Sequence, residues 1–268
     1  MTSLGWIAVN GFRESVRDKV LYNLVAFAIL LMGASLVLGQ LTAGQDLKII
    51  KDLGLSAMSI FGLFIAVFIG IGLVFKEVER RSIYNLLSKP IRRHEVVVGK
   101  YAGLVLTLTV NIVIMTVALY AVLAYVAWGE NEFARQARET PALDPALLKA
   151  IALLLVQLMV VTAIALFFST FSTPILSAAL TFGVYVAGYF SADLRNIDQV
   201  VDSRLTQTLA RGLYYTLPNL APFDVASQAV HGLPITAGYM AVTIAYAIVY
   251  IAILLVAGSA VFSRREFK

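Results

Sequence analysis

The chain has 268 residues, 60% of them apolar and 14% charged, with a formal net charge of +5 and no cysteine. A soluble domain of this length carries about 25% charged residues, so too little polar surface remains to cover a water-soluble globule. The absent cysteines exclude disulfides, thiolate metal sites and cysteine nucleophiles, and the basic balance is that of Lys and Arg gathered on one side of a membrane, with no nucleic-acid partner implied.

The predicted elements are all helical, because the apolar residues form continuous runs of about 20 and barrel strands alternate over only about 10. In residues 1–19, Leu4, Ile7, Ala8, Phe12, Val16 and Val20 recur at helical spacing, with Arg13, Glu14, Arg17 and Asp18 on the other side. This predicts an amphipathic helix at the membrane surface; a short polar tail is the alternative. No short apolar run with a small-residue cleavage site marks a signal peptide. Six spans follow, over about 20–39, 55–75, 96–128, 146–169, 174–190 and 237–262. Asp144-Pro145 supplies an N-cap and first-turn proline for the fourth. Thr173 is the expected cap of the fifth, after the short turn "STFSTP".

Lys and Arg counts orient the spans. With both termini cytoplasmic, segments 1–19, 76–100 and 263–268 carry 3, 7 and 3, or 13 in about 50 residues. Segments 40–54, 129–149 and 191–236 carry 2, 3 and 3, or 8 in about 80. The long outer segment 191–236 is patterned. Leu194, Ile197, Val201, Leu205, Leu209 and Leu213 make a helical stripe, Pro218 and Pro222 break it, and a short helix over Phe223–His231 is stopped by Gly232. Tyr214, Tyr215 and Phe223 suit an interface. Two short outer helices are expected there, on the membrane surface or dipping into it. Residues 1–268 read as a single domain without repeats.

The chemistry of energy supply is missing. Ion-coupled carriers keep ionisable residues inside their spans, yet here these lie at span ends or in loops, and only Ser59, Asn111, Thr116, Gln157, Thr162 and Tyr185 are deep and polar. No phosphate-cradling G-x-x-x-x-G-K-[ST], no HExxH and no G-x-S-x-G occurs. With His94 and His231 alone, a multi-histidine metal site is excluded. His94 reads as a solvated interfacial residue and His231 as a helix C-cap. Such a chain is passive, or it draws energy from a partner.

Between the second and third spans stands "ERRSIYNLLSKPIRRHEVVVGK", Glu79 to Lys100, with six Lys/Arg. Ile83, Leu86, Leu87 and Pro90 share one helical face, and Pro90 ends the pattern. A two-turn helix over 80–88 offers Tyr84 and Leu87 to a soluble partner; a solvated loop that enforces topology is the alternative. The stretch Lys76–Gly103 resembles the coupling-helix region of ABC-2 type exporter permeases. The residues that carry the likeness are Glu77, Glu79, Arg80, Arg81, Leu86, Leu87, Ser88, Pro90, Ile91, Arg93, Glu95, Gly99 and Lys100. Arg81-Ser82 stands where many members have Gly-Thr, closer to the branch of the multicopper-enzyme and nitrous-oxide-reductase maturation permease. "YYTLPNL" and the tail "FSRREFK" are similar more weakly.

The resemblance implies a multi-pass permease of a bacterial or archaeal cytoplasmic membrane, without a cofactor of its own. It implies a second, identical chain and two copies of a separate ATPase that carries ATP and Mg. Arg80, Arg81, Ile83, Tyr84, Leu87, Ser88 and Pro90 would meet the ATPase. Tyr214, Tyr215, Pro218 and Phe223 would form an outer gate. Asn111, Gln157 and Tyr185 would line the path, or hydrogen-bond between packed helices. Gly99 and Gly103 read as a close helix contact. The competing reading is a membrane-embedded enzyme or assembly factor that works through segment 191–236 without an ATPase. Its carboxylates Asp193, Asp198 and Asp202 are poorly spaced for a metal and are interleaved with Arg195 and Arg204.

Overall fold

A computed structural model describes residues 3–40, 46–79, 93–129, 141–190, 212 and 217–264. The expected coupling helix 80–88 with Pro90, the stripe 194–213, and Tyr214 and Tyr215 lie outside the described residues. Among those described there are helices and no strands: α1 (Ser3–Val16), α2 (Lys19–Gln40), α3 (Asp46–Glu79), α4 (Arg93–Gly129), α5 (Pro145–Ser169) and α6 (Pro174–Tyr189). A 3-10 turn (Ala221–Phe223), α7 (Ala226–Val230) and α8 (Ala237–Arg264) follow. Five helices, α2 to α5 and α8, are long and apolar enough to cross a bilayer, and α6 is a shorter apolar helix. This is the all-α polytopic class.

Helix α5 is the centre. Its sequence is apolar on every side, which in a folded chain means burial on every side. It packs against α3, α4, α6, α7, α8 and the 3-10 turn. Its start is fixed as the sequence indicates: Asp144 has extended backbone, the Ala146 N–H donates to its Oδ1 at 2.8 Å, and Pro145 occupies the first turn. Thr173 stands at the N-cap position of α6, but its side chain makes no capping bond. Ser172 and Ser177 bridge that corner instead, Oγ to Oγ at 2.7 Å.

The packing pairs give the helix directions. Gly62 and Gly70 of α3 lie against Leu158 and Ala165 of α5, so α3 and α5 are parallel. Tyr120 near the end of α4 donates to the Asp144 carbonyl at 2.9 Å, and Tyr101 near its start donates to the Met159 carbonyl at 3.2 Å, so α4 is antiparallel to both. The two ends of the bundle therefore differ. One carries α1, the α5–α6 corner and the end of α8. The other, the distal end, carries the start of α5 and segment 217–236.

Two features depart from the expected spans. Helix α3 starts at Asp46 rather than Leu55, so Lys51, expected in a loop, is inside the helix and fully buried. Its ammonium donates to the Pro141 carbonyl at 2.9 Å, a C=O that would otherwise end the preceding segment without that partner. Helix α4 starts at Arg93 and has 37 residues, about 55 Å at 1.5 Å per residue, so it projects beyond a hydrocarbon core of about 30 Å.

That projection receives α1. Gly11 and Ser15 of α1 are buried, and Trp6, Asn10, Arg13 and Arg17 are exposed on the opposite stripe. Contact is backbone to backbone at Gly103, where an added Cβ would lie 2.7 Å from the Ala8 carbonyl oxygen and 3.2 Å from the Phe12 nitrogen. The Gly103 contact is thus between α4 and α1. The outer faces of the bundle are hydrocarbon: Val242, Ile248, Val249, Ile253 and Val256 of α8 are 60–73% exposed.

Gly103→Val is expected to displace α1 and to lower stability by about 1–3 kcal/mol, the usual cost of overpacking. Gly33→Val, within α2 at a position with nothing within 4 Å, is the matched control and should not destabilise. Unfolding midpoints of the detergent-solubilised variants check both.

Candidate functional site at the distal end

The site begins where α6 stops. Its 16 residues span about 24 Å, short of a hydrocarbon core of about 30 Å. Phe190 is already non-helical. Residues 217–226 pack over the end of α6 and between it, α5 and α8. The meeting point is Gly188, where an added Cβ would lie 2.8 Å from the Pro218 carbonyl oxygen and 2.9 Å from Leu220. The Leu220 N–H donates to the Gly188 carbonyl at 3.1 Å.

Irregular backbone is tolerated at membrane depth only where its polar groups find partners in protein. Here they do. The Asn219 N–H donates to the Tyr246 hydroxyl at 2.9 Å, and the Ala221 N–H to Asn219 Oδ1 at 3.2 Å. The Phe223 and Asp224 N–H groups donate to the Leu220 and Ala221 carbonyls, each at 3.1 Å. The Ala226 N–H donates to Asp224 Oδ1 at 3.3 Å, and the Tyr239 hydroxyl donates to the Pro222 carbonyl at 2.6 Å. Pro218 and Pro222 need no partner for a missing N–H. Segment 217–226 is in effect a hydrogen-bonded plug.

Its apolar side chains anchor it. Leu220 and Phe223 are buried with Val160 and Ala247, and Val225, Ala229, Val230 and Ile235 join the main core of α3, α4 and α5. Lys149 of α5 holds the far side, donating to the Ile235 carbonyl at 3.0 Å. After α7, His231 closes the helix with Nδ1 2.9 Å from the Ser227 carbonyl, and Gly232 reverses the chain at φ 69°. Both follow the sequence expectation. Segment 217–235 therefore dips into the bundle rather than resting on it.

Beneath the plug lies a cavity of about 30 Å³ lined by Leu55, Ser59, Ala150, Leu154, Gln157, Tyr189, Phe223, Asp224, Val225 and Ala226. Gln157 is twelve residues into α5, about 18 Å along it, near the middle of the helix. It is 1% exposed, and its Nε2 donates to the Tyr189 hydroxyl at 2.7 Å. The Tyr185 hydroxyl donates to that of Tyr189 at 3.4 Å, with the rings edge to face at 5.2 Å.

The expected path residues thus divide. Gln157 and Tyr185 are joined through Tyr189 and sit beside Phe223. Asn111 is not in this group: it is buried, and its Nδ2 donates at 2.6 Å to the Thr107 carbonyl of its own helix. Pro218 and Phe223 are in the plug, with Phe223 1% exposed rather than at an interface, because its ring is the plug's apolar anchor. Sequence reasoning missed Tyr189, Tyr246 and Asp224. The i, i+4 pair Tyr185/Tyr189 was a legible signal, and Asp224 two residues before α7 was another. No group of three His, Cys, Asp or Glu able to hold a metal occurs among the described residues.

A protein-family model described as "ABC-2 family transporter protein" matches residues 5–267. No curated protein matches the chain.

Gln157→Leu and Tyr189→Phe each remove the α5–α6 hydrogen bond. A double-mutant cycle on unfolding in mixed micelles is expected to give a coupling of about 0.6 kcal/mol, the usual size of such bonds in a bilayer. Strict additivity would mean that the bond contributes nothing.

Proposed function

The chain belongs to the ABC-2 transporter family, and from that premise we propose that it is the transmembrane permease of an ATP-driven exporter energised by a separate ATPase. One observation carries the reading: the family match spans nearly the whole chain, yet the sequence has no phosphate-cradling loop. The middle turns of α2 to α6 and α8 also hold no Asp, Glu, Lys, Arg or His, which leaves ion coupling through the helices without a carrier. Energy has to arrive by contact.

In this reading the contact is residues 80–88, with Tyr84 and Leu87 as apolar anchors, Arg80, Arg81 and Ser88 around them, and Pro90 ending the helix. Two ATPase copies and a second, identical permease complete the assembly, and ATP with Mg resides on the ATPase. The Lys/Arg bias puts the termini and 80–88 in the cytoplasm, and the likeness of Lys76–Gly103 favours the maturation-permease branch. Helix α1 locked on α4 next to this stretch, and α4 and α5 tied by tyrosines at both ends, form a stiff unit that carries movement to the distal end. There the plug with Pro218 and Phe223 is the outer gate, and Gln157, Tyr185 and Tyr189 lie at the top of the path.

The test is co-purification from mild detergent of the C-terminally tagged chain expressed with its genomic neighbours. An ATPase is expected with the wild type and lost, by tenfold or more, with Tyr84→Ala/Leu87→Ala, as for truncation of paired anchors at an interface. If the intact chain brings down no ATPase, the reading is wrong.

A further inference from the structure

The cavity under the plug has a chemical bias that its place on a path does not require. Among the described residues that line it, Asp224 is the one that is charged. Its Oδ1 accepts from the Ala226 N–H, and Asp224 is an exposed residue at the distal end. The polar groups behind it are neutral: the Ser59 hydroxyl, the Gln157 amide and the Tyr189 phenol. The only hydrogen bond recorded for Gln157 runs through Nε2, so its Oε1 keeps acceptor capacity. Phe223 and Tyr189 add aromatic walls, whose faces attract cations.

Among the described residues, Lys48, Lys51 and Lys149 stand at the same end, and none neutralises this set from within the cavity. Lys51 and Lys149 donate to the Pro141 and Ile235 carbonyls, and neither lines the cavity. A carboxylate, acceptor oxygens and aromatic walls around one cavity favour a positive guest. The volume of about 30 Å³ holds about two water-sized groups, which suits one ammonium head and excludes a whole cargo.

We propose that this cavity is a binding site for the ammonium head of an amine-bearing cargo, with Asp224 as the charge-selecting residue, Ser59 and Gln157 as its polar floor and Tyr189 as an aromatic wall. The assignment deepens the transport reading and rests on it for the word cargo. The electrostatic preference itself needs no ATPase, so the two fail separately.

The absence of cysteine makes the test clean. In the full chain in nanodiscs, Ser59→Cys introduces a single thiol in the cavity. Its modification rates with 2-aminoethyl and 2-sulfonatoethyl methanethiosulfonate are each divided by the rate with a free thiol in solution. Leu233→Cys, at a position 54% exposed, reports the general surface. The expected result is a cation preference of about tenfold at position 59, absent at position 233, as one nearby carboxylate gives in a partly desolvated site. Asp224→Asn, which keeps the Oδ1 acceptor for Ala226, should abolish that preference, and Asp224→Glu should retain it. Equal rates, an anion preference, a thiol that neither reagent reaches, or a preference that survives Asp224→Asn would each overturn the proposal.

Discussion

A hydrocarbon layer offers no partner to a backbone N–H or C=O, and α6 is shorter than the five long apolar helices. The rest of the distal architecture answers that constraint. A chain that leaves a 16-residue helix at membrane depth must close the remaining gap with backbone that satisfies itself. Segment 217–226 does so through Gly188, Tyr239 and Tyr246 on two helices, its own Asn219 and Asp224, and two prolines that need no acceptor. Gly188 is required because the Pro218 carbonyl comes too close for any side chain. Phe223 is buried because the plug needs an apolar anchor to offset the ordering of its backbone.

The same construction explains how a closed end can open. Helices α3, α4 and α5 share a continuous apolar core and are pinned by Tyr101 and Tyr120, so they respond as one body. The plug is attached to α6 and α8 by a few hydrogen bonds, each worth little in a bilayer. Local opening draws on the least stable elements of a structure, and the bonds at Gly188, Tyr239 and Tyr246 are the polar ties that any opening of the plug has to break.

Much of this was legible in the sequence and some of it was not, for identifiable reasons. The helices were readable because each run is continuous and apolar. The start of α5 was readable because Asp144-Pro145 acts locally, and the stop after α7 because Gly232 needs a positive φ. The Gly99–Gly103 spacing gave close packing but not the partner, which is α1. Lys51 was misplaced because hydropathy reports where hydrocarbon begins, and α3 begins two turns earlier in protein contact. Asn111 and Gln157 looked alike as lone polar residues in apolar runs. One bonds its own helix and the other bridges to Tyr189, a difference set by rotation about the helix axis against neighbours distant in sequence. The plug's bonds join residues up to 32 positions apart, and no local pattern encodes them.

The central claim is that the plug is a closure worked from the far end of the bundle. Hydrogen–deuterium exchange of the permease–ATPase complex in nanodiscs, with and without ATP and Mg under hydrolysis-blocking conditions, tests it most directly. The account predicts that the amides of Leu220, Phe223 and Asp224 exchange slowly without nucleotide and markedly faster with it, while those of mid-α5 stay protected in both. Unchanged slow exchange at those three amides on nucleotide binding would contradict it.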